Sequence, residues 1–311
     1  MSYIKGNFSI GYICATVTAM LFGFTFSMAK QPLENVDPIV LSAIVYPISF
    51  AALIPITRSS FKIENKEDFL DILVISILGG VLAPILLFYG LEHIDASEAV
   101  ILTNAQIIFT VLLSSLFFGE KPNGIIGYSG IIIVFVGLFV ATTELDTPGS
   151  LFKYEPGKIM IVGAMLVWAI DNNISRRLTK RSTIWPAKIA MLKFLIGGII
   201  LFGIATIAVE ESSSSLFRPR LQIIDSLLLI KPSEWLIIIA VSLFGFAGAL
   251  SLLLESLKRI GTIRTMMIFS LTPIFGIVAA NIVHAESIGI LEAIATGIII
   301  IGIFMVSKSY T

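Results

Sequence analysis

Ten continuous apolar stretches, near residues 9–28, 38–57, 70–91, 97–118, 124–142, 157–178, 184–209, 234–257, 262–283 and 288–307, leave this chain few ways to fold. About 20 apolar residues in a helix span the roughly 30 Å hydrocarbon core of a bilayer. Inside that core only helices and closed barrels satisfy every backbone N–H and C=O. A barrel would read as alternating segments of about ten residues, so the continuous runs predict helices. With 56% hydrophobic and 14% charged residues and a mean hydropathy of +0.97, the chain is far from the roughly 25% charged residues of a soluble domain. The expected fold is an all-α integral membrane protein, multi-pass in the plasma membrane.

Several function classes lack their chemistry. Net charge zero offers no basic face for nucleic acid. Cys14 is the single cysteine, so it reads as a packing residue of the first run. That run follows Lys5 and leads into Lys30 without a small-residue cleavage site, which reads as a retained helix. His93 and His284, the two histidines, fall at expected helix ends, away from any buried serine they would activate. One Cys, two His and scattered acids have no zinc-site spacing, and no G-x-x-x-x-G-K-[ST] loop supplies an ATP motor. The expectation is no enzyme, no metal and no cofactor; transport would draw on a gradient of substrate or of a coupled proton or ion.

The chain repeats itself. Gly79, Ala83, Leu91, Ile94, Ile108, Phe109 and Glu120 recur 166 positions later as Gly245, Ala249, Leu257, Ile260, Ile274, Phe275 and Glu286. Between the apolar runs, Glu92-His93-Ile94-Asp95 in the first copy becomes Lys258-Arg259-Ile260-Gly261 in the second. Basic loops stay cytoplasmic, so the copies are expected to cross the bilayer in opposite senses, as in inverted-repeat transporters. Gly11, Phe22, Gly23 and Lys30 meet Gly157, Trp168, Ala169 and Arg176 at an offset of 146, although Ala-Met-Leu at 19–21 and 164–166 prefers 145. With the N-terminus inside, the cytoplasmic segments hold Lys5, Arg58, Lys62, Lys66, Lys121, Arg176, Arg177, Lys180, Arg181, Lys258, Arg259 and Lys308. The other side holds Lys30, Lys153, Lys158, Arg218, Arg220 and Lys231. Ten helices in two inverted five-helix repeats, residues 9–142 and 157–307, with both termini inside, are therefore expected; Glu210–Ser215 reads as a solvated connector.

These residues support a family. Ala96 to Gly137, with Phe118-Gly119-Glu120 closing one helix and Gly127, Gly130 and Gly137 spacing the next, resembles the EamA domain of the drug/metabolite transporter superfamily. So does the second copy, with Leu271-Thr272-Pro273-Ile274-Phe275 before Ala285-Glu286, and then Gly297 and Gly302. The openings Ala19-Met20-Leu21-Phe22-Gly23 and Ala164-Met165-Leu166-Val167-Trp168-Ala169 look like the starts of two EamA halves. The resemblance covers nearly the whole chain. It implies a transporter moving amino acids, other small metabolites or drugs through a central cavity by alternating access. One departure matters: the family's proline in the fourth helix of each half is Pro273 here, but Ile107 in the first copy. Proline would free the carbonyl of Phe269, so exposed backbone is expected less in the fourth run than in the ninth.

Ionisable groups in a bilayer cost about 2.5–3.5 kcal/mol at a helix centre on insertion scales, which makes each a functional candidate. Lys193 lies about 13 Å into its run and Asp171 about 10 Å from the end of the preceding one, at 1.5 Å per residue, so a hairpin brings them to similar depth. They read either as ligands for a carboxylate or phosphate and for an ammonium or proton, or as a structural pair that neutralises both. Asn104 and Gln106 in the fourth run face the same choice between substrate contact and interhelical glue. Ser270 and Thr272 mirror them in the ninth, which argues for a shared cavity. Tyr89 and Trp168 are stacking candidates or interfacial anchors, with Trp168 one turn from Asp171. Glu98 and Arg264, repeat partners of opposite sign in first helical turns, read as gates or as snorkelling charges. Asp171 and Glu98 are the acids for a coupling proton.

The reading is a secondary or facilitative transporter, an exporter or exchanger of small polar organic metabolites such as amino acids. A multidrug exporter is the alternative within the class, and a channel or membrane scaffold the alternative outside it.

Overall fold

A computed structural model describes residues 2–57, 63, 65–118, 124–142, 155–211, 227–228, 230–286 and 289–309. Arg58, Lys62, Glu120, Lys121, Lys153, Arg218, Arg220 and the serines of the 210–215 connector lie outside the described residues. Where they are described, the ten apolar runs are helical except for turns at Thr103 and Ser270-Leu271 and a residue or two at the starts of the seventh and tenth.

In chain order the elements are α1 (Ser2–Leu33), α2 (Pro38–Thr57), α3 (Lys66–Ile77), a π-helix π1 (Leu78–Leu82), α4 (Ala83–His93), α5 (Ala96–Leu102), α6 (Asn104–Phe118) and α7 (Gly124–Thr142). There follow α8 (Pro156–Arg181), α9 (Pro186–Glu211), α10 (Pro232–Ala240), π2 (Val241–Gly248), α11 (Ala249–Ile260), α12 (Thr262–Phe269), α13 (Thr272–His284) and α14 (Ile290–Lys308). Pro38, Pro156, Pro186 and Pro232 each open a helix, where the missing N–H would have had no helical partner. Asn65 caps α3 by accepting the Glu67 N–H at 2.9 Å. Glu234 closes the start of α10 by accepting the Lys231 N–H at 3.0 Å.

Among the described residues, seven helices are long and apolar enough to cross a bilayer, and the shorter apolar helices Gly124–Gly137 and Ala293–Val306 accompany them. Ten were expected. Helix α8 has the length, at 26 residues, but its C-terminal half carries Asp171, Asn172, Asn173, Arg176, Arg177, Lys180 and Arg181. Large apolar side chains such as Ile13, Ile125, Ile199, Leu236, Ile282 and Phe304 point outward, where lipid tails replace water.

The repeat reappears in the irregularities. The paired glycines Gly79 and Gly245 both lie in π-helical stretches of otherwise continuous rods, Lys66–His93 and Pro232–Ile260. The following rod breaks at Thr103 in one copy and at Ser270-Leu271 in the other. The first break departs from the expectation drawn from Ile107. No proline is needed, because the Thr103 hydroxyl donates to the Val100 carbonyl at 2.6 Å and the Asn104 amide to Ile101 at 3.1 Å, competing with the helical ladder. In the second copy the Phe269 carbonyl released by Pro273 accepts the Thr272 hydroxyl at 2.6 Å.

Packing follows one exchange rule. Helix α1 packs on α11 and α13, α8 on α4 and α6, α2 on α9, and α7 on α14. Swapping α1 with α8, α2 with α9, α4 with α11, α6 with α13 and α7 with α14 leaves these neighbours unchanged.

Candidate functional site

A cavity lies where both halves meet. Its polar wall is Gln106 from α6, Asp171 and Asn172 from α8, and Lys193 from α9; Phe22, Trp168, Phe246, Leu250, Leu253 and Phe269 supply most of the apolar wall. Phe22 and Trp168, repeat partners, meet with ring centroids 5.5 Å apart at a 74° interplanar angle, and Phe22 stands equally close to Phe269.

The hairpin from α8 to α9 brings Lys193 Nζ to 2.6 Å from Asp171 Oδ2, with each residue 2% exposed. The Ser175 hydroxyl donates to the other carboxylate oxygen at 3.4 Å. Both charges are therefore paired within the protein, as burial requires. Gly79 of π1 makes room for them: a Cβ there would lie 2.6 Å from the Asp171 carboxyl carbon and 2.7 Å from Lys193 Nζ.

The Gly79 carbonyl accepts the Trp168 indole N–H at 3.1 Å and the Tyr46 hydroxyl at 3.3 Å. The π register explains its availability. Ala83 N–H bonds the Leu78 carbonyl five residues back, so the Gly79 carbonyl would pair with residue 84, which is Pro84 and has no N–H. The second copy has Leu250 at the matching place.

Of the residues singled out from sequence, Lys193, Asp171, Trp168 and Gln106 line the cavity. Asn104, Ser270, Thr272 and Tyr89 are not among its lining residues, although all are buried. Ser270 donates to the Met267 carbonyl at 2.5 Å, and Asn104 and Thr272 donate back across the breaks to the Ile101 and Phe269 carbonyls. Sequence reasoning missed Asn172, Tyr46, Phe194 and Phe246. Phe22 had a signal in its repeat match to Trp168, whereas nothing local distinguishes Tyr46 from any other residue of an apolar helix.

Four buried oxygens, Asn104 Oδ1, Gln106 Oε1, Thr110 Oγ1 and Asn173 Oδ1, have no hydrogen-bond partner among the described residues. Each such group costs about 1–3 kcal/mol. All four belong to α6 and α8.

Charged clusters close the two ends of the bundle. At one, Lys30 donates to the Ile94 carbonyl at 2.8 Å and pairs with Asp95 at 3.0 Å and Glu286 at 3.8 Å. Glu98 lies near this end, 3.2 Å from Lys158, which also pairs with Glu155 at 2.9 Å. At the other, Arg176, the repeat partner of Lys30, donates to the Leu257 carbonyl at 2.7 Å. Arg181 there bonds Asp68 at 2.7 Å, Glu67 at 2.9 Å and Asp71 at 3.2 Å. The Asp68 hydrogen bond raises the Arg181 pKa above its ordinary value. Arg264 begins α12 beside this end and is exposed.

A polytopic helical bundle with a charged pair on the wall of a cavity between its halves has the build of a small-molecule transporter. The chain belongs to the EamA-like transporter family, whose model matches residues 9–143 and 155–308, and so to the drug/metabolite transporter superfamily. It is a multi-pass plasma-membrane protein that works on small molecules. An uncharacterized transporter of Methanothermobacter thermautotrophicus is 25% identical over 95% of this chain and 85% of its own length. A probable amino-acid metabolite efflux pump of Escherichia coli is 22% identical over 94% of this chain and 93% of its own length. A solved crystal structure shares the fold with a TM-score of 0.66 at 17% identity, covering 98% of this chain and 97% of that one.

Proposed function

We propose that the protein exports or exchanges small polar organic metabolites such as amino acids, by alternating access, as a secondary or facilitative transporter. In this reading the chain crosses the membrane ten times as two inverted repeats, residues 9–142 and 157–307, with both termini cytoplasmic. The opposite loop charges and the neighbour exchange between halves support that topology.

The observation that carries the function is the Asp171–Lys193 pair on the cavity wall. A zwitterion presents the same two charges in reverse. Its carboxylate takes the place of Asp171 on Lys193 while its ammonium meets Asp171, so neither protein charge is stranded during exchange. Gln106 and Asn172 add amide contacts, and Trp168 packs the apolar part of the solute.

The aromatic wall favours a second reading, a multidrug exporter for amphiphilic solutes. Reconstitution into liposomes with panels of amino acids and of apolar cations separates the two. Saturable, protein-dependent flux of amino acids that is abolished in Lys193→Ala and Asp171→Asn is expected. Flux confined to apolar cations would favour the second reading, and no saturable flux of either panel would sink both.

A further inference from the structure

Two seams leave the cavity in opposite directions, and they are repeat counterparts. Beyond Phe22 and Phe269, α1 meets α13, where the Ser27 hydroxyl donates to the Gly276 carbonyl at 3.3 Å. Beyond Gln106 and Asn172, α6 meets α8, where the Asn173 amide donates to the Thr110 carbonyl at 3.2 Å. Asn173 is the partner of Ser27 at the offset of 146, and Thr110 of Gly276 at the offset of 166. The same bond is made twice, with different side chains around it.

The α1–α13 seam is closed by backbone contact. A Cβ on Gly23 would lie 2.7 Å from the Thr272 carbonyl oxygen and 2.8 Å from the Gly276 backbone nitrogen. His284 Nε2 lies 2.6 Å from the Ser27 carbonyl above it. The α6–α8 seam instead holds Thr110 and Asn173, whose Oγ1 and Oδ1 have no hydrogen-bond partner among the described residues. The Asn173 amide nitrogen is already committed to the Thr110 and Ala169 carbonyls, so its oxygen is left as an unpaired acceptor. Ser114, Ser175 and Thr179 continue this buried polar path along both helices toward Arg176 and Arg181.

We propose that the α6–α8 seam is the lane through which water and hydrogen-bond-donating solutes pass between the cavity and the arginine-bearing end, with Thr110 and Asn173 as its lining residues. Closing it leaves acceptors unpaired, and opening it lets water pair them. The glycine-closed seam has no such penalty. The resting protein therefore opens this lane more often than its counterpart. The inference rests on the cavity being a substrate site, but water entry is measured without a substrate, so the two fail separately.

Ser114 and Ala280 are repeat counterparts, one turn beyond Thr110 and Gly276, and both are buried. In a Cys14→Ala background, Ser114→Cys and Ala280→Cys are each treated with a membrane-impermeant thiol reagent in permeabilised membranes, so that both faces are reached. The expected result is labelling at least about tenfold faster at position 114, the ratio reporting the two open populations. Adding Thr110→Val with Asn173→Leu removes both unpaired oxygens at similar volume, and labelling at 114 should then slow by about tenfold. Equal rates, faster labelling at 280, no labelling at 114, or no response to the added pair would each overturn the proposal.

Discussion

Lys193 meets Asp171 at 2.6 Å with both side chains 3% exposed, so residues 22 positions apart hold one buried charge pair on a cavity wall. Removing one partner strands the other, at a cost of about 3–5 kcal/mol, whereas replacing both by apolar groups of similar volume is often neutral. Thermal unfolding in detergent should show Lys193→Met and Asp171→Leu each strongly destabilised and the double variant largely restored. Flux should stay lost in the double variant. A stable double variant that still transports would show the pair to be structural.

Gly79 and Gly80 are neighbours with opposite expectations. Alanine at 79 drives a methyl into the ion pair, while the Cβ of alanine at 80 would lie 3.5 Å from Lys193 Cγ, an ordinary contact. Overpacking of this kind costs about 1–3 kcal/mol. Gly79→Ala should lower thermal stability and reduce flux, and Gly80→Ala should change neither appreciably. Parallel melting curves and initial rates decide it.

Pro84→Ala restores an N–H in π register with the Gly79 carbonyl and sets it against the Trp168 indole. In a Trp185→Phe, Trp235→Phe background, Trp168 emission should shift to the blue as its hydrogen bond weakens, a loss of about 0.5–1.5 kcal/mol. An unchanged spectrum would mean that the proline does not keep this carbonyl free.

Glu286 caps a helix that is not its own. Its carboxylate accepts the Ala96 N–H at 3.2 Å and the Ser97 N–H at 2.9 Å at the start of α5, while Asp95, in the cap position, makes no side-chain cap bond. Glu286→Ala should cost about 1 kcal/mol, and Asp95→Ala clearly less, since that side chain is 68% exposed. Comparing their melting temperatures at equal salt tests the assignment; an equal or larger loss in Asp95→Ala would refute it.

Much of the fold was legible because bilayer thickness imposes a length on apolar helices, and the ten runs could be marked to within a few residues at most ends. The break at Thr103 was not, since it depends on side chains turning back to carbonyls three residues away. Hydropathy marked α8 as one of the ten runs although its C-terminal half is polar; that half is buried against the cavity and α6. For the site, charge in an apolar run pointed to Lys193 and Asp171, whereas Phe22 carried only a repeat match to Trp168 and no site expectation. The same repeat argument placed Asn104, Ser270 and Thr272 at the cavity, where the structure puts only Gln106. Asn104 and Gln106 stand two residues apart, about 200° of helical rotation, which separates a lining group from one bonded back across the break.

By itself, then, the sequence determined an all-helical membrane chain with an internal repeat and a charge in each helix of one hairpin, because length, hydropathy and offset are properties of the chain alone. Only the tertiary structure decided that Lys193 finds Asp171, that Pro84 leaves the Gly79 carbonyl to Trp168 and Tyr46, and that one seam closes on glycine while its counterpart buries unpaired oxygens. Those outcomes depend on how helices rotate and how closely they approach, and these are set by packing among residues far apart in sequence.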